Sequence, residues 1–563
     1  MIKINKKHII IGSWLLVIGL LVYSRFVNLG WGLPYPMHPD ERNMANAVQG
    51  LNCDLRSKIL DLRSCFNPHF FAYGQFPLYA GYVLVLLMKF FDGDLGTPIS
   101  FSEAAISLRV ISALASIINV FVIFKIIKLI ISNLKFQISN LNLKTQNFFV
   151  FFILIFSPFF IQFSHFGTTE SLLMLFYSSV IFYSLKILDN TILNTKYLIL
   201  TSLLSGLAVA TKVSSIIFLV VPIITIMSKF KSQNSKAQVK SKNFKTFDFL
   251  IVFLTFAFLL LTLVLLIAFS PHNLLNWPKF ISVLRYEADV ATGRTLVFYT
   301  RQFTDTIPIV FQIIKIFPYA LGWPMFILGI FGFFGLSWRD KRINLLRLAL
   351  IGYFLPNAFL FAKWTRFMAP IFPLMIMFAV LMLIKIKVIK VIKVIIVITA
   401  VLPGIVYLSI YQNPDVRFQA SDWIYKNIPE NSYILSETAN VVDIPIPNYK
   451  LQITNYKIIS FDFYDLDINP KLQEELKQHI ELADYIIVPS RRMFSNHSKR
   501  QYLRITDYYN NLFSGNLGFK QIAEFSSYPK ISLLGKTLLE FPDEQAEETW
   551  TVFDHPVIRI YKK

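Results

Sequence analysis

Five clusters of lysine and arginine cut the chain into long apolar runs, and that alternation restricts the fold more than any other feature. Runs of Ile, Leu, Val and Phe that approach about 20 residues match the thickness of a bilayer's hydrocarbon core. With 55% hydrophobic and only 16% charged residues in 563, the chain reads as a polytopic membrane protein. A formal charge of +21 would point a soluble protein toward nucleic acid. Here the cations lie in short segments between apolar runs, the pattern of cytoplasmic loops. The first apolar run follows Lys3, Lys6 and Lys7 and ends without a small-residue cleavage site, so it reads as a retained helix and not a signal peptide.

Parity then fixes a topology. If the basic segments 3–7, 125–144, 229–245, 339–347 and 385–393 are all cytoplasmic, an even number of crossings separates each consecutive pair. A helix over 8–27 leads out and 104–132 returns, which leaves 70–90 to lie in or dip into the outer interface. The run 147–163 goes out and 171–189 comes back, and 197–211 with 213–228 form a hairpin. Next, 247–270 goes out, 308–336 returns, 343–362 goes out, 367–384 returns, and 391–411 exports the C-terminal part. The sum is about eleven crossings. Cys53 and Cys65 share the first outer loop, where an oxidising compartment permits a disulfide.

This topology gathers the polar groups that look chemical on one face, whereas a transporter scatters such groups near the midplane. His38-Pro39-Asp40-Glu41 opens a short amphipathic helix. Two acids there suit a helix N-terminus, and they equally suit a general base, Asp40, with Glu41 orienting it or helping to hold a cation. At the turn Ser164–Ser171, His165 and Glu170 stand five apart and can face one cavity, while Thr168 or Thr169 can cap the next helix. Lys212 ends an outer hairpin; it either snorkels or holds a phosphate. The segment 271–307 is long for a connection and rich in aromatic and charged residues, including Glu287, Arg294, Tyr299, Arg301 and Gln302. Lys363 and Arg366 are cations at an outer helix boundary, against the positive-inside tendency, which favours phosphate binding.

In order, HPDE (38–41), SHFGTTES (164–171), GLAVATKVSS (206–215), EADVATGRTLVFYTRQFTDTI (287–307), FPYALGWP (317–324) and KWTRFMAPIFP (363–373) resemble the GT-C membrane glycosyltransferases that use polyprenyl-phosphate sugars. The likeness is to the bacterial relatives of protein O-mannosyltransferases and of the aminoarabinose transferase that modifies lipid A, and it covers roughly residues 8–411. It implies a polytopic α-helical membrane protein with short juxtamembrane helices in the first outer loop. It also implies that Asp40, with Glu41 beside it, is the essential first-loop acid. Lys212 and Arg366, with Arg294 and Lys363 after them, would hold the donor phosphate. His38, His165, Glu170, Tyr299 and Gln302 would line the substrate cavity. Glu170 stands where the family usually has Asp, so its longer arm moves the oxygens. Some relatives bind a divalent cation and others none; the sequence requires none.

After Tyr411 the long apolar runs give way to short mixed elements. Helix-like 416–428, 472–482 and 498–513 alternate with strand-like 433–436, 456–461 and 485–489, and 550–561 reads as a closing hairpin. This alternation defines a C-terminal soluble α/β domain over 412–563, following a membrane module over 1–411. Arg491 and Arg492 suit contact with headgroups, glycan or acceptor, and Asp554-His555-Pro556 reads as a turn. The function expected is transfer of a sugar, with inversion, from a polyprenyl-phosphate donor to an acceptor hydroxyl of a protein, lipid or glycan. It would take place at the outer face of the cell membrane. The rival is a polyprenyl-lipid flippase or polysaccharide exporter, which has no need of an outward carboxylate pair or a large outer domain.

Overall fold

The computed structural model describes residues 6–51, 66–133, 143–190, 194–237, 244–438, 455–534 and 536–563, with 442, 444 and 445 besides. Cys53 and Cys65, and most of the low-complexity basic loops, lie outside the described residues. Among the described residues, five helices are long and apolar enough to cross a membrane: Phe101–Ser132, Glu170–Asp189, Val252–Phe269, Thr365–Lys385 and Lys390–Gln412. Two bent pairs raise the count to seven, and Gly12–Phe26, Thr195–Thr211 and Val213–Lys229 are shorter apolar helices. Lys341–Ala358 is a further helix in the run expected over 343–362.

The bends have local causes. Pro158 interrupts the run expected over 147–163, and its two halves, Gln146–Ile155 and Pro158–His165, meet at 46°. The run expected as one span over 308–336 is broken more sharply, with 116° between Val310–Leu321 and Trp323–Gly335. Pro318 and Pro324 remove backbone donors there, and Gly322 takes φ +76° at the corner. A Cβ on Gly322 would sit 2.8 Å from the ring of Pro403, so only glycine allows both the turn and the contact.

The three helices that follow the first build the platform for the site. Helix α1 (Lys6–Phe26) leads to α2 (Pro39–Gln49), α3 (Phe76–Asp92) and α4 (Phe101–Asn133). At 33 residues α4 is about 50 Å long, more than a bilayer core needs, so its first turns project beyond the apolar bundle. Those turns (Ala104, Ala105, Leu108) pack with Met44 and Val48 of α2 and Leu78 and Val85 of α3 in a separate small core. Helix α3 therefore rests on the projecting end of α4. Its other side exposes Val83, Leu87, Phe90 and Phe91, an arrangement that fits the interfacial expectation for 70–90.

The C-terminal part contains β1 (Tyr433–Glu437), β2 (Lys457–Phe461), β3 (Tyr485–Val488), β4 (Lys520–Phe525), β5 (Lys530–Leu533), β6 (Lys536–Glu540) and β7 (Ile558–Lys562). One mixed sheet runs β2-β1-β3-β7-β4, with β1 parallel to β2 and β3, and β7 antiparallel to β3 and β4. Side chains alternate between faces as the strand period requires. Ile434, Ile487, Ile558 and Ile560 pack with the helix Val416–Asn427. Leu435, Ile486 and Val488 pack with Leu476 of Pro470–Leu482 and with Tyr508 and Leu512 of Leu503–Ser514.

The hairpin expected over 550–561 does not form. Only β7 is a strand there, paired to β3 and β4. The residues before it fold onto the helical bundle instead, and Ala546, Trp550, Val552 and Phe553 join the bundle's core. The β5–β6 ribbon and β4 lie outside the strand-like segments of the sequence.

Candidate active site

The site begins with α2. His38 is its N-cap, with Nδ1 accepting from the backbone N–H groups of Asp40 (3.2 Å) and Glu41 (3.5 Å), and Pro39 occupies the first turn, where a missing N–H is harmless. The capping role that Asp40 might have taken is thus filled by His38. Burial, and then the positive charge of Arg366, push the His38 imidazole well below its usual range, so it stays neutral and keeps Nδ1 as an acceptor.

Adjacent helical residues point about 100° apart, and the two acids part company. Glu41 turns into the protein at 1% exposure. Its carboxylate takes a fork of two bonds from Arg109 of α4 (2.8 and 2.7 Å) and one from the Gly167 N–H (2.7 Å). Arg109 also donates to the carbonyls of Leu29 and Trp31 and lies over the Trp31 ring. Glu41 is therefore spent on fastening α2 to α4 and does not line the cavity. Asp40 does line it, in an ion pair with Arg366.

The cavity holds about 400 Å³. Around the Asp40–Arg366 pair its wall includes His38, Tyr73, Glu170, Glu287, Tyr299 and Trp364 from the helical bundle and Arg492, Glu548 and Phe553 from the C-terminal part. Arg366 stacks over Trp364 (4.8 Å) and donates to the Tyr73 hydroxyl (3.2 Å). Lys212 stands next to this wall, 3.9 Å from Glu170, with its ammonium over the rings of Tyr73 and Phe367. Tyr73 thus links the two cations, one at its face and one at its hydroxyl. Gly74 makes this placement feasible. A Cβ there would lie 1.9 Å from the Ala210 carbonyl oxygen, and its N–H bonds the Thr211 carbonyl just before Lys212.

The remaining site expectations divide. Tyr299 lines the cavity, and burial raises its phenol so that it stays protonated. Gln302 lies behind the wall and donates to Glu547 (3.1 Å) and Glu548 (3.5 Å). His165 is not in the cavity. Both ring nitrogens face backbone carbonyls, of Ile161 and Val27, and the ring stacks on Tyr411 at 3.7 Å, because Pro158–His165 is buried throughout. Arg294 is 80% exposed and pairs with Asp289 beyond the end of a surface helix. Lys363 folds back onto the Phe361 carbonyl at 2.9 Å. Neither cation lines the cavity.

Three wall residues had no usable signal in sequence, Tyr73, Glu548 and Phe553, while Glu287 belongs to the segment 271–307 that its charged and aromatic content singles out. Arg492, expected to contact headgroups, glycan or acceptor, is buried in the cavity wall, 3.7 Å from Glu548. Burial lifts the Glu548 carboxyl to about 7, against the pull of Arg492. Burial also raises Glu287, with Lys212 opposing it. The segment carrying Glu548 is clamped in place: Glu547 accepts from the backbone N–H and hydroxyl of Thr365 (3.0 and 2.9 Å), next to Arg366. Arg491 donates to the Ala546 and Glu547 carbonyls.

Asp554 and His555, expected in a plain turn, form a buried junction with the bundle. Asp554 accepts from Tyr407 (3.0 Å), Tyr411 (2.7 Å) and Gln162 (3.3 Å), while His555 bridges Asp554 (2.6 Å) and Asp543 (3.0 Å). Burial alone would lower His555, but the two carboxylates outweigh it and hold the imidazolium up to about 10.

Among the described residues no group of three or more His, Cys, Asp or Glu is placed to hold a metal ion. Since the Glu41 carboxylate is engaged by Arg109 and Gly167, the Asp40–Glu41 pair does not converge on one cation.

No family profile matches the sequence, and no curated protein matches it. Among solved structures, ArnT from Cupriavidus metallidurans bound to undecaprenyl phosphate aligns over 97% of this chain and 98% of its own, with 10% identity and a TM-score of 0.46. The Archaeoglobus fulgidus oligosaccharyltransferase in its apo form aligns over 87% of this chain and 71% of its own, with 13% identity and a TM-score of 0.46. The S. cerevisiae protein O-mannosyltransferase Pmt1-Pmt2 complex bound to the sugar donor aligns over 50% of this chain and 35% of its own, with 16% identity and a TM-score of 0.33.

Proposed function

We propose that this chain is an integral membrane glycosyltransferase that moves a sugar from a polyprenyl phosphate to an acceptor hydroxyl, with inversion, in the cavity between the helical bundle and the C-terminal sheet domain. The observation that carries this reading is the Asp40–Arg366 pair in the wall of that cavity, with Lys212 and Glu170 adjoining it. A base and two cations beside an apolar bundle are the parts that transfer from a lipid phosphate requires.

The donor's phosphate competes with Asp40 for Arg366. Its binding therefore frees the carboxylate as it engages the guanidinium, which ties the base's release to donor binding. Asp40 then takes the proton of the acceptor hydroxyl as its oxygen bonds to the anomeric carbon. The bond from that carbon to the phosphate oxygen breaks, and polyprenyl phosphate leaves with the electron pair, its charge met by Arg366 and Lys212. Tyr73 holds both cations in register. The topology from the basic clusters would place this chemistry on the extracytoplasmic face, with protein, lipid and glycan hydroxyls all admissible acceptors.

The test is transfer from a panel of radiolabelled polyprenyl-phosphate sugars in proteoliposomes, wild type beside Asp40→Asn at matched protein levels. Transfer that the substitution abolishes supports the reading. Undiminished transfer in D40N removes Asp40 from the chemistry, and lipid movement between leaflets without transfer favours a flippase.

A further inference from the structure

The β5–β6 ribbon stands outside the five-stranded sheet and outside the cavity. A lone two-stranded ribbon is marginal in water, yet this one carries an unusual load of exposed apolar side chains. Leu533 is 61% exposed, Leu534 95%, Leu538 59% and Leu539 58%, with Phe541 at the base also exposed. Ile531 faces Leu539 across the ribbon, and the polar pair Ser532–Thr537 follows. Clustered leucines at the end of a thin ribbon need a cover, and soluble surfaces seldom leave such a patch bare.

The base of the ribbon indicates what covers it. The Lys530 N–H donates to the Ser409 hydroxyl at 3.0 Å, and Ser409 lies in the last turn of Lys390–Gln412, one of the helices long and apolar enough to cross a membrane. That helix exposes Ile398, Leu402 and Ile405, so its apolar outer side runs up to the turn on which the ribbon stands. At about 3.3 Å per residue the leucine-bearing tip lies roughly 10–13 Å from this base, within reach of the lipid around the helix. Lys530 and Lys536 add ammonium groups suited to phosphate headgroups.

We propose that the ribbon is a membrane wedge, with Leu533, Leu534, Leu538 and Leu539 seated among the lipids of the leaflet on the sheet domain's side, beside the end of Lys390–Gln412. The wedge gives the sheet domain a lipid contact of its own, separate from its protein contacts through Asp554 and Trp550. It does not depend on the reaction assigned to the cavity.

The test uses the full-length protein, with Cys53 and Cys65 replaced by serine, in phosphatidylcholine–phosphatidylglycerol vesicles. An environment-sensitive fluorophore is attached at Leu534→Cys, at Leu538→Cys and, as a reference, at Ile468→Cys, which is 73% exposed elsewhere in the sheet domain. The exposure of Leu534 means its replacement removes no packing. The wedge predicts blue-shifted emission at 534 and 538, strong quenching by lipids with a shallow nitroxide and protection from aqueous iodide, none of which the 468 label shows. Emission and iodide quenching equal to the 468 label would overturn it. So would efficient 534-to-534 cross-linking between copies without nitroxide quenching, which would make a second chain the cover.

Discussion

Asp40 and Arg366 form an ion pair across the cavity, joining the first turn of α2 to the short helix Thr365–Met368. The proposed base is therefore held by the group proposed to bind the leaving phosphate. Removing the carboxylate should leave the fold intact and stop the chemistry. We expect Asp40→Asn to lower transfer by about 10²–10⁴-fold, the usual contribution of a positioned general base. Donor-lipid affinity should hold or rise, because Arg366 loses its competitor. Parallel transfer and lipid-binding assays on purified protein check both.

Arg366→Lys keeps a positive charge but cannot reach Tyr73 and Asp40 together. If the guanidinium stabilises the leaving phosphate, transfer should fall about 10²–10³-fold, as when one oriented donor is removed from a transition-state site. Tyr73→Phe should cost less, since it loosens Arg366 without removing it. Turnover numbers of the two variants, compared at saturating donor, give the ranking; the reverse order would contradict it.

Glu41→Gln should behave differently from its neighbour. It disrupts the fully buried fork with Arg109, and breaking one side of such a pair costs about 3–5 kcal/mol. Thermal unfolding in detergent and expression level should both drop, with residual activity proportional to the folded protein. A normal melting temperature with selective loss of activity would return Glu41 to the chemistry.

The Glu548 carboxyl, lifted to about 7 by burial, changes charge near neutral pH. The pH profile of transfer should show a limb near 7 that Glu548→Gln removes. Initial rates between pH 5.5 and 8.5 are sufficient to see it.

His555 predicts a stability trend of the opposite kind. Its imidazolium is held up to about 10 when folded, above the ordinary histidine value of about 6.5. Its pairing with Asp554 and Asp543 is thus fully present below about 6.5 and fades as pH rises through 10. The gap in melting temperature between wild type and His555→Gln should be widest near pH 6 and close toward pH 10. A gap that widens with pH would refute the assignment.

Much of this was legible in the chain alone, and the reason is that the signals are local. Apolar runs, lysine clusters and prolines act within a turn or two of themselves, so the order of the membrane segments and the strands around Leu435 and Ile486 could be read directly. Asp40 and Arg366 could be named as site residues because an acid after a helix and a cation at its end are unusual wherever they occur. What spacing could not decide was which neighbour faces the cavity. Asp40 and Glu41, or Lys363 and Arg366, differ only in rotation about a helix or loop, and the partner that selects one of them is far away in sequence. The tertiary structure made those choices: Arg109 turned Glu41 inward, Phe361 took Lys363, and Gly74 brought Tyr73 between two cations. Most of all it brought Arg492 and Glu548 to the wall, where burial, which no linear pattern reports, altered the chemistry of the carboxyl.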